Sequence, residues 1–229
     1  LSTGVDKIPA LKGVELTNAG GVNSLRIAEF AIGMIFALAK NVHTHVQQGE
    51  NRVWNPLKSD EVHGKVLGII GVGSIGGEVA RLGKALGMQV WGVRRQREPN
   101  AFVDRMFDPD RLDEFLPVID YLVLSIPLMR HTRGLISHNA FSLMKPSSFL
   151  INISRGRVVD EDALFQALKT NTIKGASIDV FQDEKPLPRN SRFYTLPNLI
   201  ITSYSAFYTH NSLDDFMEIF FENLRRYAI

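Results

Sequence analysis

The stretch that decides the fold is Lys65-Val-Leu-Gly-Ile-Ile70, followed directly by Gly71-Val-Gly-Ser-Ile-Gly76. The first part is mostly apolar and β-branched and predicts a buried strand, and the residues after Gly76 have the apolar spacing of a helix. Between a strand and a helix, the pattern G-x-G-x-x-G allows a tight turn and a close approach of the backbone to a bound group. The sequence therefore predicts a strand–turn–helix unit that can hold a diphosphate against the helix N-terminus.

The residues on both sides of this unit repeat its alternation of strand and helix. Asp160 is expected to cap one of the later helices, because its carboxylate can accept N–H groups of the first turn. Such alternation predicts an α/β fold, with a doubly wound parallel sheet covered by helices on both faces. Long helices are predicted before and after the sheet, from Ser24 to Lys40 and from Leu213 to Tyr227. The further predicted strands are residues 89–93, 121–125, 148–152, 175–181 and 199–202.

The composition excludes several classes of protein. The chain has 229 residues and no cysteine, so disulfides, thiolate nucleophiles and cysteine metal sites are excluded, and the histidines form no metal-ligand pattern. A formal net charge of +2 without a basic stripe predicts no nucleic-acid partner. The longest apolar run, from Phe30 to Ala39, is about half the length that spans a bilayer. With no signal peptide visible, we expect a cytoplasmic protein without a membrane span.

The end of the second predicted strand indicates which of two dinucleotides, NAD(H) or NADP(H), the glycine loop would hold. When NAD(H) is bound, a carboxylate about twenty residues past the glycine loop usually binds the ribose 2′-hydroxyl. Here Val93 is followed by Arg94 and Arg95, and the first acidic residue is Glu98. Arginine offers forked donors that suit a 2′-phosphate. We therefore expect NADP(H), with NAD(H) as the alternative cofactor; a solvated basic loop is the other interpretation of the arginines.

Motifs in the remaining sequence resemble those of the D-isomer-specific 2-hydroxyacid dehydrogenases. The resemblance implies a remnant of a substrate domain at residues 1–22, a dinucleotide-binding Rossmann domain at 23–205, and a helix returning towards the substrate domain at 206–229. It also implies that most of the substrate domain lies outside this sequence. Residues 206–209 are similar to the D-lactate dehydrogenase branch, and the Val93-Arg94-Arg95 strand end is similar to NADP-using glyoxylate and hydroxypyruvate reductases. The motifs are residues 1–8, 23–29, 127–132, 152–156 and 179–181, Glu184, and residues 201–206.

The resemblance also assigns candidate site residues. In the family an arginine binds the substrate's carboxylate and oxo group, and a histidine oriented by a glutamate donates the proton. Arg155 matches the arginine, Tyr204 stands at the histidine's position, and Glu184 matches the glutamate, although one residue separates it from the proline that usually follows. The residues expected to form the cofactor site are Gly71, Gly73, Ser74, Ile75, Gly76, Arg94, Arg95, Ile126, Pro127, Thr132, Ile153, Ser154 and Asp179.

The missing histidine is the main departure from the family pattern. A one-residue deletion would place Ser203 rather than Tyr204 at this position, and neither register restores a histidine. His210 is a weak substitute, because it lies six residues further on. A phenol holds its proton to about pH 10 and an imidazolium to about pH 6.5, so tyrosine is a poorer proton donor. We expect dinucleotide binding to survive and turnover by the family mechanism to be impaired.

Two functions of different class follow from these expectations. The first is hydride transfer between NADP(H) or NAD(H) and a small 2-oxo or 2-hydroxy acid such as glyoxylate, hydroxypyruvate or pyruvate. The alternative is a catalytically weak protein of the same fold that binds or senses a dinucleotide as a scaffold. A doubly wound domain without a dinucleotide is disfavoured by the glycine loop together with Asp179. Because the Ser24–Lys40 helix would expose a large apolar patch if it stood alone, we also expect a homodimer formed through it.

Overall fold

A computed structural model describes residues 19–95, 99–182, 186–210 and 212–228, and it confirms the predicted α/β fold. Within this part of the chain, seven parallel strands form one sheet. Three of the predicted strands end one to three residues earlier than expected. The strands are β1 (Val66–Ile70), β2 (Gln89–Val93), β3 (Arg105–Phe107), β4 (Tyr121–Leu124), β5 (Phe149–Asn152), β6 (Gly175–Ile178) and β7 (Leu199–Ile201).

The order of the strands places a crevice beside the glycine loop. The order is β3-β2-β1-β4-β5-β6-β7. Strands β2 and β3 therefore lie on one side of β1, and the later strands β4 to β7 lie on its other side. Ile70 at the end of β1 pairs with Val93 of β2 and with Leu124 of β4. Ligands of doubly wound sheets bind where the order reverses, outside the carboxyl ends of the strands. Here that point lies between β1 and β4.

Seven α-helices accompany the sheet in the described residues. Asp160 caps one of them as predicted, because its Oδ1 accepts a hydrogen bond of 3.0 Å from the backbone N–H of Ala163. The helices predicted near both ends of the chain are present, and a short polar helix after the first of them is an addition. The helices are α1 (Ser24–Ala39), α2 (Val42–Glu50), α3 (Ser74–Ala85), α4 (Leu112–Phe115), α5 (His138–Leu143), α6 (Glu161–Lys169) and α7 (Ser212–Ala228).

Helix α1 is packed more completely than its sequence suggests. It contacts α3 and the strands β5 and β6, and one side of it, including Ala28, Ala31 and Ile35, is fully buried in the core. The sheet and α3 cover much of the apolar surface that this helix would expose if it stood alone, and the homodimer stays a prediction. The side away from the sheet still includes Leu25, which is 46% exposed.

Two negative findings apply to the residues with described coordinates. None of their helices is both long and apolar enough to cross a membrane. No group of three or more histidine, aspartate or glutamate side chains among them could hold a metal ion. The expected substrate-domain remnant at residues 1–22 falls mostly outside the described part of the chain, so it stays a prediction.

Candidate functional site

Two of the three motif glycines are required by the packing of the protein itself. Gly71 has φ +104°, and a Cβ built on it would lie 2.4 Å from Cγ2 of Ile126. A Cβ on Gly76 would lie 2.1 Å from the backbone oxygen of Gly71, a distance that carbon atoms do not adopt without rearrangement. These glycines therefore allow the turn after β1 and the close contact of α3 with that turn.

Gly73 differs, because no packing contact among the described residues requires a glycine there. A Cβ built on Gly73 would meet no atom of the described residues within 4 Å, so the space above it is open. Gly73 is the N-cap residue of α3 and has no side chain to cap the helix. Open space in front of uncapped helix N–H groups fits a diphosphate, which needs close backbone approach and hydrogen-bond donors. The glycine loop thus has the shape that the sequence predicted for it.

Ser125, at the end of β4, holds this loop in place. Its hydroxyl donates a hydrogen bond of 2.8 Å to the backbone oxygen of Gly71. Ser125 is not among the predicted site residues. Its position at the end of the predicted strand 121–125, beside β1, could have indicated it. The loop is therefore fixed from the neighbouring strand as well as by its own glycines.

A cavity of about 470 Å³, which we call the Arg94 cavity, lies on one side of the glycine loop. Its body is apolar, with Val93, Leu112 and Leu135 among its walls. Arg94 and Arg95, at the end of β2, line it, and their contact with a cofactor stays a prediction. His131 lines it too, which the sequence did not suggest, because the resemblance gave it no role. Of the predicted residues, the Arg94 cavity is lined by Gly71, Gly73, Arg94, Arg95, Ile126, Pro127 and Thr132.

Thr132 braces the loop that forms one wall of the Arg94 cavity. Its Oγ1 donates a hydrogen bond of 2.8 Å to the backbone oxygen of Pro127 and accepts one of 2.7 Å from the N–H of Met129. The side chain is largely buried. These bonds show how a threonine at this point fixes the loop, and direct contact of Thr132 with a cofactor stays a prediction.

A larger cavity of about 950 Å³, which we call the Arg155 cavity, lies on the other side. The two cavities share Ser125, Ile126 and Pro127, so they meet at the end of β4. An elongated ligand could therefore extend along the carboxyl edge of the sheet from one into the other. Of the predicted residues, the Arg155 cavity is lined by Ser74, Ile75, Ile126, Pro127, Ile153, Ser154, Arg155, Asp179 and Tyr204.

Arg155 reaches this cavity from a tightly built turn after β5. The guanidinium donates a hydrogen bond of 2.8 Å to the backbone oxygen of Ser154. Buried Asn152 accepts hydrogen bonds of 3.0 Å and 2.7 Å from the N–H and the hydroxyl of Ser154, so the strand end is fixed. Arg155 thus combines a rigid backbone with a cationic side chain that lines the cavity.

The turn that carries Arg155 is packed on the segment that leads towards Glu184. A Cβ built on Gly156 would lie 2.0 Å from the backbone carbon of Phe181, so the two segments touch directly. Arg157 adds a hydrogen bond of 2.9 Å from its Nε to the backbone oxygen of Gln182. Glu184 itself lies outside the described residues, so its predicted role is untested.

Tyr204 occupies an unusual position on the far side of the cavity. Its φ is +57°, a left-handed conformation that bulky side chains rarely adopt. The residue is 51% exposed, and its ring meets the ring of Phe207 edge-on, with centroids 5.2 Å apart. Tyr204 and Phe207 both line the Arg155 cavity, whereas Ser203 and His210 do not. The structure therefore brings together the two candidate catalytic residues that it describes, Arg155 and Tyr204.

Asp179 connects the end of β6 to the loop that carries Tyr204. Its Oδ1 accepts hydrogen bonds of 2.6 Å from the hydroxyl of Thr202 and 2.9 Å from the N–H of Ser205. Its Oδ2 accepts a third, of 3.1 Å, from the N–H of Ala206.

Of the cofactor residues expected from the sequence, only Gly76 lines neither cavity, since it packs against Gly71.

Comparison with known proteins identifies the family. A family model described as D-isomer specific 2-hydroxyacid dehydrogenase, NAD binding domain, matches residues 32–206, which is most of the chain. A glyoxylate reductase from Thermococcus gammatolerans is 34% identical over 222 residues, which cover 93% of this chain. The chain spans 66% of the length of that relative.

Solved structures agree with the sequence relatives. A D-isomer specific 2-hydroxyacid dehydrogenase family protein from Aeromonas salmonicida matches with a TM-score of 0.84 and 33% identity, covering 93% of this chain and 68% of its own. An NADPH-dependent glyoxylate/hydroxypyruvate reductase from Sinorhizobium meliloti, in complex with NADP and sulfate, matches with a TM-score of 0.82 and 26% identity, covering 98% and 73%. The chain therefore belongs to the D-isomer specific 2-hydroxyacid dehydrogenases and carries their NAD-binding domain.

Proposed function

We propose that the chain binds NADP(H) across the two cavities and reduces a small 2-oxo acid in the Arg155 cavity. The observation that carries this proposal is the open space above Gly73, where a Cβ would meet nothing within 4 Å, next to an uncapped helix N-terminus. The helix N–H groups would bind the diphosphate there. A bound nicotinamide cofactor supplies the hydride; the residues of the chain have to bind, orient and protonate the substrate.

The charges in the Arg94 cavity support NADP(H) over NAD(H). Arg94, Arg95 and His131 are its titratable lining residues, and no carboxylate is among the described residues that line it. A carboxylate there would bind the 2′-hydroxyl of NAD(H) and repel a 2′-phosphate. Arginine side chains do the reverse, since their forked donors match phosphate oxygens. The Sinorhizobium meliloti relative, whose structure contains NADP, is consistent with this preference.

Arg155 is the proposed binding group for the acid. A 2-oxo acid presents a carboxylate beside an oxo group, and a guanidinium can donate to both through parallel N–H groups. Arg155 lines the larger cavity together with Ser154 and Asp179. The Thermococcus gammatolerans relative is a glyoxylate reductase, which fits an acid of this size class. We propose small 2-oxo acids such as glyoxylate, hydroxypyruvate and pyruvate as substrates.

Tyr204 is the proposed proton donor, and a weak one. The oxygen of the substrate needs a proton as the hydride arrives, and Tyr204, which carries a hydroxyl, lines the same cavity as Arg155. A phenol gives up its proton less readily than an imidazolium, so we expect slow turnover. We retain Glu184 as the proposed orienting carboxylate, as the resemblance implies.

The tyrosine at the position of the family's histidine favours a second candidate function, a dinucleotide-binding protein with weak or absent catalysis. A phenol is a poorer proton donor than an imidazolium, so the reduction step can be lost while dinucleotide binding is kept. In this second proposal the glycine loop and the Arg94 cavity retain their role, and only the reduction step is lost.

A homodimer is part of the proposal, formed through the side of α1 that faces away from the sheet. Leu25 is exposed there, and several other apolar side chains of the helix are only partly buried. Sedimentation of the chain at two concentrations, with and without Leu25→Asp, tests this directly. We expect the native chain to sediment as a dimer and the variant as a monomer; a native monomer contradicts the proposal.

The reduction itself is tested by NADPH oxidation against a panel of small 2-oxo acids. We expect the native chain to reduce at least one of them, at well below about one turnover per second, and Tyr204→His to raise the rate about tenfold or more. Arg155→Met should abolish the reaction while NADPH still binds. Binding of NADPH without any reduction favours the second function. A native chain with ordinary rates, slowed by Tyr204→His, contradicts the impairment.

A further inference from the structure

The hydrogen bonds of Asp179 are directed at the loop of Tyr204 rather than at the cavity. The carboxylate is 4% exposed, and both of its oxygens accept hydrogen bonds from Thr202, Ser205 and Ala206. A carboxylate has about four acceptor positions, and three of these are used by this loop. The backbone of Asp179 takes part too, because its oxygen accepts a hydrogen bond of 3.0 Å from the N–H of Tyr204.

Tyr204, the residue that these hydrogen bonds hold, has a strained backbone conformation. Tyr204 has φ +57°, and a bulky side chain adopts the left-handed region only where its surroundings impose it. Its N–H is bonded to Asp179, and so are the N–H groups of the next two residues. The loop is therefore bonded to one buried residue on both sides of the strained peptide.

We propose that Asp179, together with Thr202, is a positioning residue that holds Tyr204 in its left-handed conformation with its ring in the Arg155 cavity. The inference rests on the proposed function only in taking Tyr204 as the proton donor. It assigns to Asp179 a different role from direct contact with the cofactor, which the resemblance implies. A positioning residue acts on the rate of reduction through Tyr204, whereas a contact residue acts on cofactor affinity.

Thr202 provides the matched variants for a test. Its hydroxyl donates to Asp179, and Thr202 lines neither cavity, so it should not touch a ligand. Thr202→Val removes the hydroxyl at nearly constant shape, and Thr202→Ser restores it. Asp179→Asn keeps the shape but places an amide N–H₂ where an oxygen now accepts an N–H. Circular dichroism of all three variants reports whether the sheet is intact.

The first measurement is the hydrogen exchange of the backbone amides of Tyr204, Ser205 and Ala206 by NMR, which needs neither cofactor nor substrate. We expect Thr202→Val and Asp179→Asn to accelerate exchange at these three amides by about tenfold or more, and Thr202→Ser to restore protection. Exchange that is unchanged in Thr202→Val overturns the positioning role of Thr202 and the proposal with it.

The second measurement separates the rate of reduction from cofactor affinity. We expect Thr202→Val and Asp179→Asn to lower kcat for 2-oxo acid reduction about three- to tenfold, and the Kd for NADPH to stay within about twofold. Thr202→Ser should recover kcat. The proposal is overturned if Asp179→Asn weakens NADPH binding strongly while Thr202→Val changes neither quantity, because Asp179 then acts by contact with the cofactor.

Failure of the proposed function has a different signature. If the native chain does not bind NADPH or does not reduce any 2-oxo acid, that function fails, while the exchange measurement still decides the positioning role. Faster exchange in Thr202→Val with recovery in Thr202→Ser then supports positioning, and unchanged exchange overturns it.

Discussion

The glycine loop and the loop of residues 202–206, which we call the Tyr204 loop, lie at the same edge of the sheet. They differ in how closely their residues match the family pattern. In the glycine loop both backbone and residue types fit a diphosphate, since Gly71 and Gly76 are required by packing and Gly73 leaves the space open. In the Tyr204 loop the backbone is firmly bonded to Asp179, while Tyr204 stands where the family resemblance predicts a histidine. In the proposed function, dinucleotide binding and substrate protonation are therefore separable, because different loops would provide them.

The largest effect that tests this difference is expected from Gly76→Ala. The new Cβ would lie 2.1 Å from the backbone oxygen of Gly71, and neither backbone can move without shifting the turn or α3. We expect the free energy of unfolding to fall by about 2–3 kcal/mol, as for overpacking, and NADPH binding to be lost with the turn. Urea unfolding followed by circular dichroism measures the first, and calorimetry the second.

Gly49→Ala provides the matched control in α2. A Cβ at this helical position would meet nothing within 4 Å. We expect unchanged NADPH binding and a gain in stability of up to about 1 kcal/mol from the better helix propensity of alanine. If Gly76→Ala is no more destabilising than Gly49→Ala, the packing explanation of Gly76 is wrong.

Gly73→Ala sharpens the comparison within the glycine loop, with a smaller effect. Because its Cβ would enter open space, we expect the free energy of unfolding to stay within about 0.5 kcal/mol of the native value. The same Cβ would occupy the space proposed for the diphosphate, so the Kd for NADPH should rise about tenfold, which corresponds to about 1.4 kcal/mol. Unchanged affinity for NADPH would show that no ligand approaches the backbone here.

The smallest effect is expected from His43, which lies at the edge of the sheet opposite to both loops and serves as a reference for them. Partial burial lowers the pKa of His43 from its ordinary value of 6.5, so the folded state favours the neutral imidazole. The unfolded state then binds the proton more readily, and stability falls as the pH decreases from about 6.5 through the lower folded pKa. Unfolding midpoints between pH 7.5 and 5 should fall more in the native chain than in His43→Gln. Equal slopes would contradict the assigned cause.

The fold was largely predictable because its strands are apolar and separated by clear turn signals. The strand–turn–helix unit at residues 65–86 and the capping role of Asp160 are found where the patterns put them. β3 (Arg105–Phe107) escaped prediction because three residues are too short to show a period. α2 (Val42–Glu50) escaped because it is polar and has no buried residue, so its sequence shows no apolar face.

The candidate site was predictable where residue type alone carries the chemistry, as for Gly73, Arg94 and Arg155. It was not predictable where the role depends on contacts between distant residues. Nothing in the sequence links Asp179 to Thr202, which are 23 positions apart, or indicates the left-handed backbone of Tyr204. His131 was missed as well, because its position in the Arg94 cavity depends on how its loop folds over the edge of the sheet.

The most direct test of the account is the ratio of the dissociation constants for NADH and NADPH, measured by calorimetry on the native chain. Two arginine side chains that bind a 2′-phosphate predict that NADPH binds at least about tenfold more tightly than NADH, since each charge-assisted hydrogen bond contributes about 1.5–3 kcal/mol. Arg94→Ala together with Arg95→Ala should reduce this ratio towards one. Binding of NADH that is as tight as that of NADPH, or tighter, would contradict the account.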